Sequence, residues 1–412
     1  MERQKEQKFI IHGGKPLKGE VEVLGSKNAA TPLLAASILF EKPITLDNIP
    51  LVEDVSRMIA ILKSIGAKVS WLSKRKVRID TSELTPTTID QELVQMLRSS
   101  ILFIGPLLAR FGTCTIAHPG GCIIGARPLD THFQAFRDLG VEIMTQKGKK
   151  GNIYTFDSQN IHGGEVILEE FSVTATENIL LLTSLLNEKV TVKLAAREPH
   201  VQDLIRFLRL AGVGIKEEGE HALHIRGKKR LTPLAHRVIP DYIEAGTFLI
   251  LSHLYRENIK VHNAPYEFLD AVIKKIRDVK EGKPINIQTL PYPGFPTDLQ
   301  APFGVLATQL KGISRIHDPL YENRFGYLEE LKRMGAKAKL LNPHEALIEG
   351  PTSLTGATIK SFDLRAGITL ILAGLIAKGE TIIHNAYQVD RGYERIDERL
   401  RALGAQIKRV NG

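Results

Sequence analysis

One pattern recurs six times along this chain, and any fold must accommodate it. Half of each copy is a short β-branched strand, a turn, an amphipathic helix with a Leu-Gly-Ala-like stop, and a further strand. The strands are Ile44-Thr-Leu46, Cys114-Thr-Ile116, Val190-Thr-Val192, Ile259-Lys-Val261, Ser314-Arg-Ile316 and Thr381-Ile-Ile383. The helices stop at Ile65-Gly-Ala67, Asp138-Leu-Gly140, Leu210-Ala-Gly212, Met334-Gly-Ala336 and Leu403-Gly-Ala405; the fourth copy lacks a clean glycine stop. A glycine there is a helix C-cap signal.

A second, more apolar helix precedes each copy, near 27–40, 95–110, 174–187, 243–255, 298–310 and 364–378. These segments are rich in Leu, Ile and Ala and poor in charge, which predicts full burial. A unit therefore reads β-α-β-α-β-β, with one buried and one exposed helix. The predicted fold class is α/β: a two-domain inside-out α/β barrel, three units per domain, with helices buried inside sheets. This inverts the doubly wound layout, where sheets lie inside. A chain of 412 residues also exceeds one ordinary core. Crossings near Gly25 and Pro240 would divide it into 1–25 with 240–412, and 26–239, the latter carrying a loop around Cys122. A cleft between such domains is the expected ligand site.

Formal charge is +9, and the basic residues are spread out apart from Lys147-Lys149-Lys150 and Lys228-Lys229-Arg230. Aromatic residues are few and do not interleave with arginine, which disfavours nucleic acid and suits an anionic small substrate. The two cysteines have no metal-type spacing and a structural disulfide is not expected. Cys114 reads as core. Residues Met1–Lys8 are polar and no apolar run reaches membrane-spanning length, so a cytoplasmic protein with no membrane partner is expected.

Charged residues gather where the buried helices begin. Ser172 and Asp363 suit N-capping. Lys27, Arg98 and Arg365 do not, because the helix dipole disfavours a cation there; a bound anion would explain them. Arg127, Arg197, Arg324 and Arg391 lie in turns of the exposed halves. Lys27, Arg98, Arg127, Arg324, Arg365 and Arg391 facing one cleft would bind phosphate and carboxylate. Asp298, after Pro296-Thr297 at a helix start, is a candidate base toward a substrate hydroxyl.

The stretch Pro119-Gly-Gly-Cys-Ile-Ile-Gly-Ala-Arg-Pro-Leu-Asp-Thr-His132 sets one thiol among three glycines, with Arg127 and His132 following. Nearby positive charge favours the thiolate. A glycine-hinged loop suits a mobile lid, on which Cys122 would be a proton donor or nucleophile. Local composition fits equally a surface loop holding a small apolar cysteine.

Seven ordered motifs carry a resemblance that spans essentially the whole chain: Gly25-Ser-Lys-Asn-Ala29, Pro119 to Pro128, Ala196-Arg-Glu-Pro199, Tyr292-Pro-Gly-Phe-Pro-Thr-Asp298, Glu322-Asn-Arg-Phe325, Asp363-Leu-Arg-Ala-Gly367 and Val389-Asp-Arg-Gly-Tyr-Glu394. The sequence resembles the UDP-N-acetylglucosamine 1-carboxyvinyltransferases, enolpyruvyl transferases that begin peptidoglycan precursor synthesis. The sister 3-phosphoshikimate 1-carboxyvinyltransferases share the six-unit fold but not the glycine-flanked cysteine.

The resemblance implies transfer of enolpyruvate from phosphoenolpyruvate to UDP-N-acetylglucosamine through a tetrahedral ketal, with release of phosphate. By carry-over, Cys122 is the acid and can form a phosphoenolpyruvate adduct, and Asp298 is assigned to the sugar hydroxyl. Lys27, Arg127 and Arg391 would hold the phosphate; Arg324, Arg365 and Arg391 the carboxylate. Asn28, Arg98, Arg127, Pro128, Leu129, Ser172, Val173, Thr174, Asp298 and Leu320 match positions lining the nucleotide-sugar site. Asp363 matches a second carboxylate used in proton traffic. No metal and no cofactor is implied, and a monomer is expected.

Three positions depart from the family pattern. Tyr242 stands where arginine is frequent, Thr174 replaces a glycine, and Glu170 lies where a lysine often meets the diphosphate. They bear on the acceptor and not on phosphoenolpyruvate. A carboxyvinyltransferase with a different acceptor is therefore an alternative reading. So is a non-catalytic nucleotide-sugar sensor, against which Lys27, Cys122, Asp298, Asp363 and Arg391 all speak.

Overall fold

A computed structural model describes residues 7–85, 89–121, 128–149, 151–219, 221–280 and 283–411. These fall into two compact units, one of residues 7–24 and 240–411, the other of 25–121 and 128–239. Cys122 and Arg127 lie outside the described residues.

The apolar segments form helices. In the first unit they are Tyr242–Leu254, Gln300–Ala307 and Leu364–Ile376. The helix of 300–307 packs against both of the others, and nearly every side chain of the three is buried. Each fully buried Leu or Ile contributes about 1.5–3 kcal/mol of transfer free energy. In the second unit the buried helices are Lys27–Ala36, Ile104–Phe111 and Val173–Thr183. Polar-faced helices such as Glu53–Ser64 and Pro199–Leu210 cover them with one apolar stripe.

The prediction of one helix over 95–110 is corrected. A short helix Gln91–Gln95 ends, a 3-10 turn Arg98–Phe103 follows, and a new α-helix starts at Ile104. Pro106 is the physical reason: it lacks an N–H and clashes with a preceding turn, so it is tolerated only near a helix start. Pro302 sits likewise in the first turn of Gln300–Ala307, after a 3-10 turn Thr297–Leu299. Pro32 lies deeper in its helix and cannot donate to Asn28; the Thr31 hydroxyl takes the Asn28 carbonyl instead, at 3.3 Å.

The sheets follow one plan. The strand after a buried helix pairs in parallel with the strand before it, and antiparallel with the far strand of a hairpin. Thus Lys189–Lys193 lies between Gly164–Ile167 and Ala222–Arg226, and Gly312–His317 between Asn286–Gln288 and Glu345–Gly350. The chain's ends close one sheet: Gln7–His12 fits between Glu380–His384 and Gln406–Asn411, antiparallel to both.

Where the chain crosses between units the leading strands exchange. Gly19–Glu22 pairs with Ile259–His262 in the first unit, and Ala235–Arg237 with Ile44–Asp47 in the second. Two copies depart from the predicted unit. Among the described residues the second has no leading strand, and the fourth has no hairpin, leaving a two-stranded sheet. No helix among them is long and apolar enough to cross a membrane.

Candidate active site

Asp298 is the centre of the first unit's polar cluster. It sits in the 3-10 turn Thr297–Leu299 before a buried helix. Its Oδ1 meets Arg324 Nη2 at 2.9 Å, and its Oδ2 accepts from Arg365 Nη2 at 2.8 Å. Both arginine side chains are 9% exposed and Asp298 is 21% exposed. Burial opposes the charge on Arg365, but Asp298 first, then Tyr393 and Asp241, outweigh it and hold its pKa above the ordinary range. Burial likewise opposes Arg324, and Asp298, Tyr321, Asp363 and Asp318 raise it. Both stay cationic at any physiological pH.

Asp363 caps the helix Leu364–Ile376, its Oδ1 accepting from the amides of Arg365 at 2.7 Å and Ala366 at 3.0 Å. Arg365, the second residue of this helix, reaches Asp298 from its first turn. Arg391 is buried directly after the short helix Tyr387–Asp390. That segment lies close to the start of the Arg365 helix: a Cβ on Gly367 would approach Val389 Cγ2 to 2.6 Å, and one on Gly392 would approach Leu364 Cδ2 to 2.6 Å. Leu320 is exposed, and its amide donates to Asp318 Oδ1 at 3.1 Å.

The second unit carries the other candidates. Ser26 caps the helix on which Lys27 and Asn28 are the first residues, accepting from Ala29 N at 3.3 Å. Lys27 Nζ lies 3.4 Å from Asp54 Oδ2, a nearly buried pair. Arg98 opens the 3-10 turn that packs on this helix, and its Nη2 donates to the Pro128 carbonyl at 3.2 Å. A Cβ on Gly121 would stand 2.9 Å from Arg98 Cβ, so that close approach requires glycine. Burial first, then Arg98, pushes the His118 pKa down.

Two short segments lie side by side in this unit. His132 Nε2 bonds Thr174 Oγ1 at 3.0 Å, and the Thr131 hydroxyl donates to Glu170 Oε1 at 3.3 Å. These contacts join the helix Asp130–Arg137, which follows Pro128 and Leu129, to the helix Val173–Thr183, which Ser172 caps through Ala175 N at 3.4 Å. His132 is buried in this contact. Arg197, grouped in the sequence with the turn arginines, pairs with Glu217 at 2.7 Å. Cys114 is core, and burial pushes its thiol up to about 12. Tyr242 is buried as the first residue of its helix.

Sequence reasoning passed over three groups. Tyr393 lies inside a quoted motif, yet its role is visible only here: its hydroxyl accepts from Arg365 Nη1 at 3.2 Å and bonds Thr247 Oγ1 at 2.9 Å. Tyr321 supports Arg324 from below, with its ring centre 4.9 Å from the guanidinium carbon. Asp318 is fully buried beneath the turn that presents Asp298. A lone acid closing an alternating strand reads as a turn residue, so no sequence signal marks it. Among the described residues no group of three or more His, Cys, Asp or Glu is gathered as a metal would need.

Comparison with known proteins gives a consistent result. A family model described as EPSP synthase (3-phosphoshikimate 1-carboxyvinyltransferase) matches residues 11–400. A protein of Halothermothrix orenii named UDP-N-acetylglucosamine 1-carboxyvinyltransferase is 41% identical, covering 98% of this chain and 99% of its own. Proteins of the same name from Finegoldia magna and Helicobacter pylori are each 40% identical, covering 96% and 97% of this chain. Among solved structures, the enolpyruvyl transferase NikO from Streptomyces tendae superposes with a TM-score of 0.87 at 21% identity, over 99% of this chain and 100% of that one. EPSP synthase from Acinetobacter baumannii gives 0.76 at 18%, over 98% and 100%. At those identities the two structures speak for the fold.

Proposed function

The chain belongs to the EPSP synthase family, among its UDP-N-acetylglucosamine 1-carboxyvinyltransferases, and from that premise we propose that it transfers the enolpyruvyl group of phosphoenolpyruvate to the 3-hydroxyl of UDP-N-acetylglucosamine. The observation that carries this is identity of about two residues in five, end to end, with relatives of that name. The reaction is the first step toward a peptidoglycan precursor, and the enzyme works in the cytoplasm as a monomer on two small-molecule substrates. In the same reading each unit is an inside-out α/β barrel.

The chemistry is addition followed by elimination. A proton goes to the methylene carbon of phosphoenolpyruvate, and the sugar oxygen bonds to its C2 as the hydroxyl proton leaves. The tetrahedral ketal then loses a methyl proton and phosphate, which restores the double bond. Cys122 supplies the first proton and Asp298 takes the hydroxyl proton. Lys27, Arg127 and Arg391 hold the phosphate; Arg324, Arg365 and Arg391 hold the carboxylate. Fixed cations stabilise the charge that develops on both groups. Asp363 serves proton traffic. Asn28, Arg98, Pro128, Leu129, Ser172, Val173, Thr174 and Leu320 receive the nucleotide sugar.

Asp298 supports this reading, because its carboxylate lies at a helix start between Arg324 and Arg365, the two buried arginines this reading assigns to the substrate carboxylate. The test is phosphate release from phosphoenolpyruvate with and without UDP-N-acetylglucosamine, before and after the epoxide fosfomycin, which alkylates the family's loop thiol. Release that requires the nucleotide sugar and stops with the epoxide is expected. Release with a different acceptor, such as shikimate 3-phosphate, would favour the alternative that Tyr242, Thr174 and Glu170 suggest.

A further inference from the structure

One position in the last strand of a copy is used in two ways. Five residues after the glycine that stops an exposed helix stand Trp71, Thr145, Glu217, Leu340 and Arg409. Trp71, Thr145 and Leu340 are exposed. Glu217 and Arg409 are folded in, each side chain only 23% exposed, and each reaches a segment of its own copy that carries an arginine. Glu217 holds Arg197 itself, at 2.7 Å. Arg409 holds Asp390, the residue before Arg391.

Arg409 lies on the inner face of its sheet. The strand Gln406–Asn411 pairs with Gln7–His12, which sets Arg409 opposite Phe9, and Phe9 and Ile407 on that face are buried. A cation there is costly unless it is paired and hydrogen-bonded. Arg409 Nη1 donates to Asp390 Oδ2 at 2.7 Å and Nη2 to Asp390 Oδ1 at 2.8 Å, a two-pronged bond. Nη2 also donates to Asp397 Oδ1, and Nη1 to Gln7 Oε1, both at 3.1 Å. The Phe9 ring centre lies 4.7 Å from the guanidinium carbon. Burial opposes the charge, but Asp390 and then Asp397 outweigh it and hold the pKa above the ordinary range.

The first and last strands thus converge on residues 386–391. From the first strand, the Gln7 carbonyl takes the Ala386 amide at 2.9 Å. From the last, Arg409 takes both oxygens of Asp390. Between these anchors lies the helix Tyr387–Asp390, only four residues long. A single turn does not hold its shape alone, because its nucleus is unfavourable. The anchors therefore decide where it stands. Arg391 follows it directly and is buried.

We propose that Arg409 is a positioning residue of the phosphoenolpyruvate site, on the reading that Arg391 holds that substrate: its fork on Asp390 fixes the turn from which Arg391 reaches the anion. The closing strand of the chain then serves binding as well as the sheet. Arg409 acts through Asp390 and not by contact with substrate. A lysine in its place would carry the charge as a point and could not engage both carboxylate oxygens in one fixed geometry.

The experiment is phosphate release by the full chain, with phosphoenolpyruvate varied at saturating UDP-N-acetylglucosamine and the reverse. Arg409→Ala and Asp390→Asn should each raise the KM for phosphoenolpyruvate at least about tenfold and leave that for the nucleotide sugar within about twofold. The double variant should be no worse than the worse single one, because both break one bond. Added guanidinium ion, well below denaturing concentration, should lower the KM again in Arg409→Ala, where it refills the space beside Asp390. It should not do so in Asp390→Asn, where Arg409 still fills that space. Arg409→Lys should stay impaired; a normal KM there would mean that charge alone acts and would overturn the proposal. So would two KM values that rise together, or that stay normal while activity falls only with the fraction of folded protein. Should Arg409→Ala not fold, Asp390→Asn and Arg409→Lys, which keep the side-chain volume, decide the matter. Arg391→Ala separates the two layers. If it raises the KM for phosphoenolpyruvate and Arg409→Ala does not, the positioning role alone falls. If Arg391→Ala leaves that KM unchanged, the reading of Arg391 falls and takes the positioning role with it.

Discussion

The Thr297 hydroxyl donates to Asp318 Oδ2 at 2.5 Å, directly beside Asp298. The other oxygen of Asp318 accepts the Thr289 hydroxyl at 2.7 Å and the Leu320 amide at 3.1 Å. One buried carboxylate thus ties the turn presenting Asp298 to the segment presenting Leu320. Asp318 is a positioning residue: it acts through Thr297. Thr297→Val and Asp318→Asn should each lower turnover roughly 10–100-fold, equivalent to about 1.4–2.7 kcal/mol. The KM for phosphoenolpyruvate should stay put. Because the two act through one bond, the double variant should be little worse than either single one. Additive losses, or a loss of folded protein that accounts for the whole effect, would remove the assignment.

Asp298 stands between two arginines that would otherwise face each other in a buried place. Asp298→Ala should cost turnover about 10²–10⁴-fold, the range of a positioned acid or base. It should also destabilise the fold by about 3–5 kcal/mol, since two buried cations lose their counter-charge. Phosphoenolpyruvate binding should persist or tighten, because the freed guanidinium groups attract its carboxylate. Isothermal titration with the variant checks this, and phosphoenolpyruvate affinity that collapses with turnover would place Asp298 in anion binding instead.

Tyr393 links Arg365 to Thr247 on a neighbouring buried helix. Burial pushes its phenol up to about 12, so it remains a neutral hydroxyl at all working pH values. Tyr393→Phe keeps the ring that lies 5.7 Å from the Arg365 guanidinium carbon and removes only the hydroxyl. Stability should fall by about 0.5–1.5 kcal/mol. The KM for phosphoenolpyruvate should rise about threefold to tenfold as Arg365 loosens, within the effect of about one kcal/mol. Thr247→Val should reproduce both changes in steady-state kinetics; an unaltered KM in both variants would leave Tyr393 a packing residue.

Much of this could be read before any coordinates. Buried helices were legible because full burial leaves a mark in composition, as Leu364–Ile376 shows. Where prolines interrupt, as at Pro106, the local rule against a donor-less residue inside a helix overrode the apolar run. The cations at the helix starts stood out because Lys27 and Arg365 sit where a helix dipole disfavours them. What escaped were groups whose meaning lies in a distant partner. Asp318 matters through Thr289 and Thr297, and Tyr393 through Thr247, 146 positions away. Neither separation leaves a local pattern. The truncated fourth copy was half legible: its missing glycine stop marked the place, but the two-stranded sheet emerges only when six sheets are set side by side.

Glu177 offers a pH test independent of catalysis. It is 2% exposed in the helix Val173–Thr183, and its Oε1 has no hydrogen-bond partner. Burial first, then the charge of Glu198, pushes its pKa well above the ordinary carboxylate range. A folded-state pKa raised above the unfolded one makes folding favour the protonated form. The contribution is therefore fully present below the unfolded value near 4.5 and is lost as pH rises through the folded one. Between the two values the slope is about 1.4 kcal/mol per pH unit. Glu177→Gln, neutral at every pH, should match the wild type in stability near pH 4.5 and exceed it increasingly toward pH 8. Urea unfolding at a series of pH values gives the comparison. A stability difference that stays flat across that range would mean that Glu177 is ionised in the folded protein and counter-charged by its surroundings.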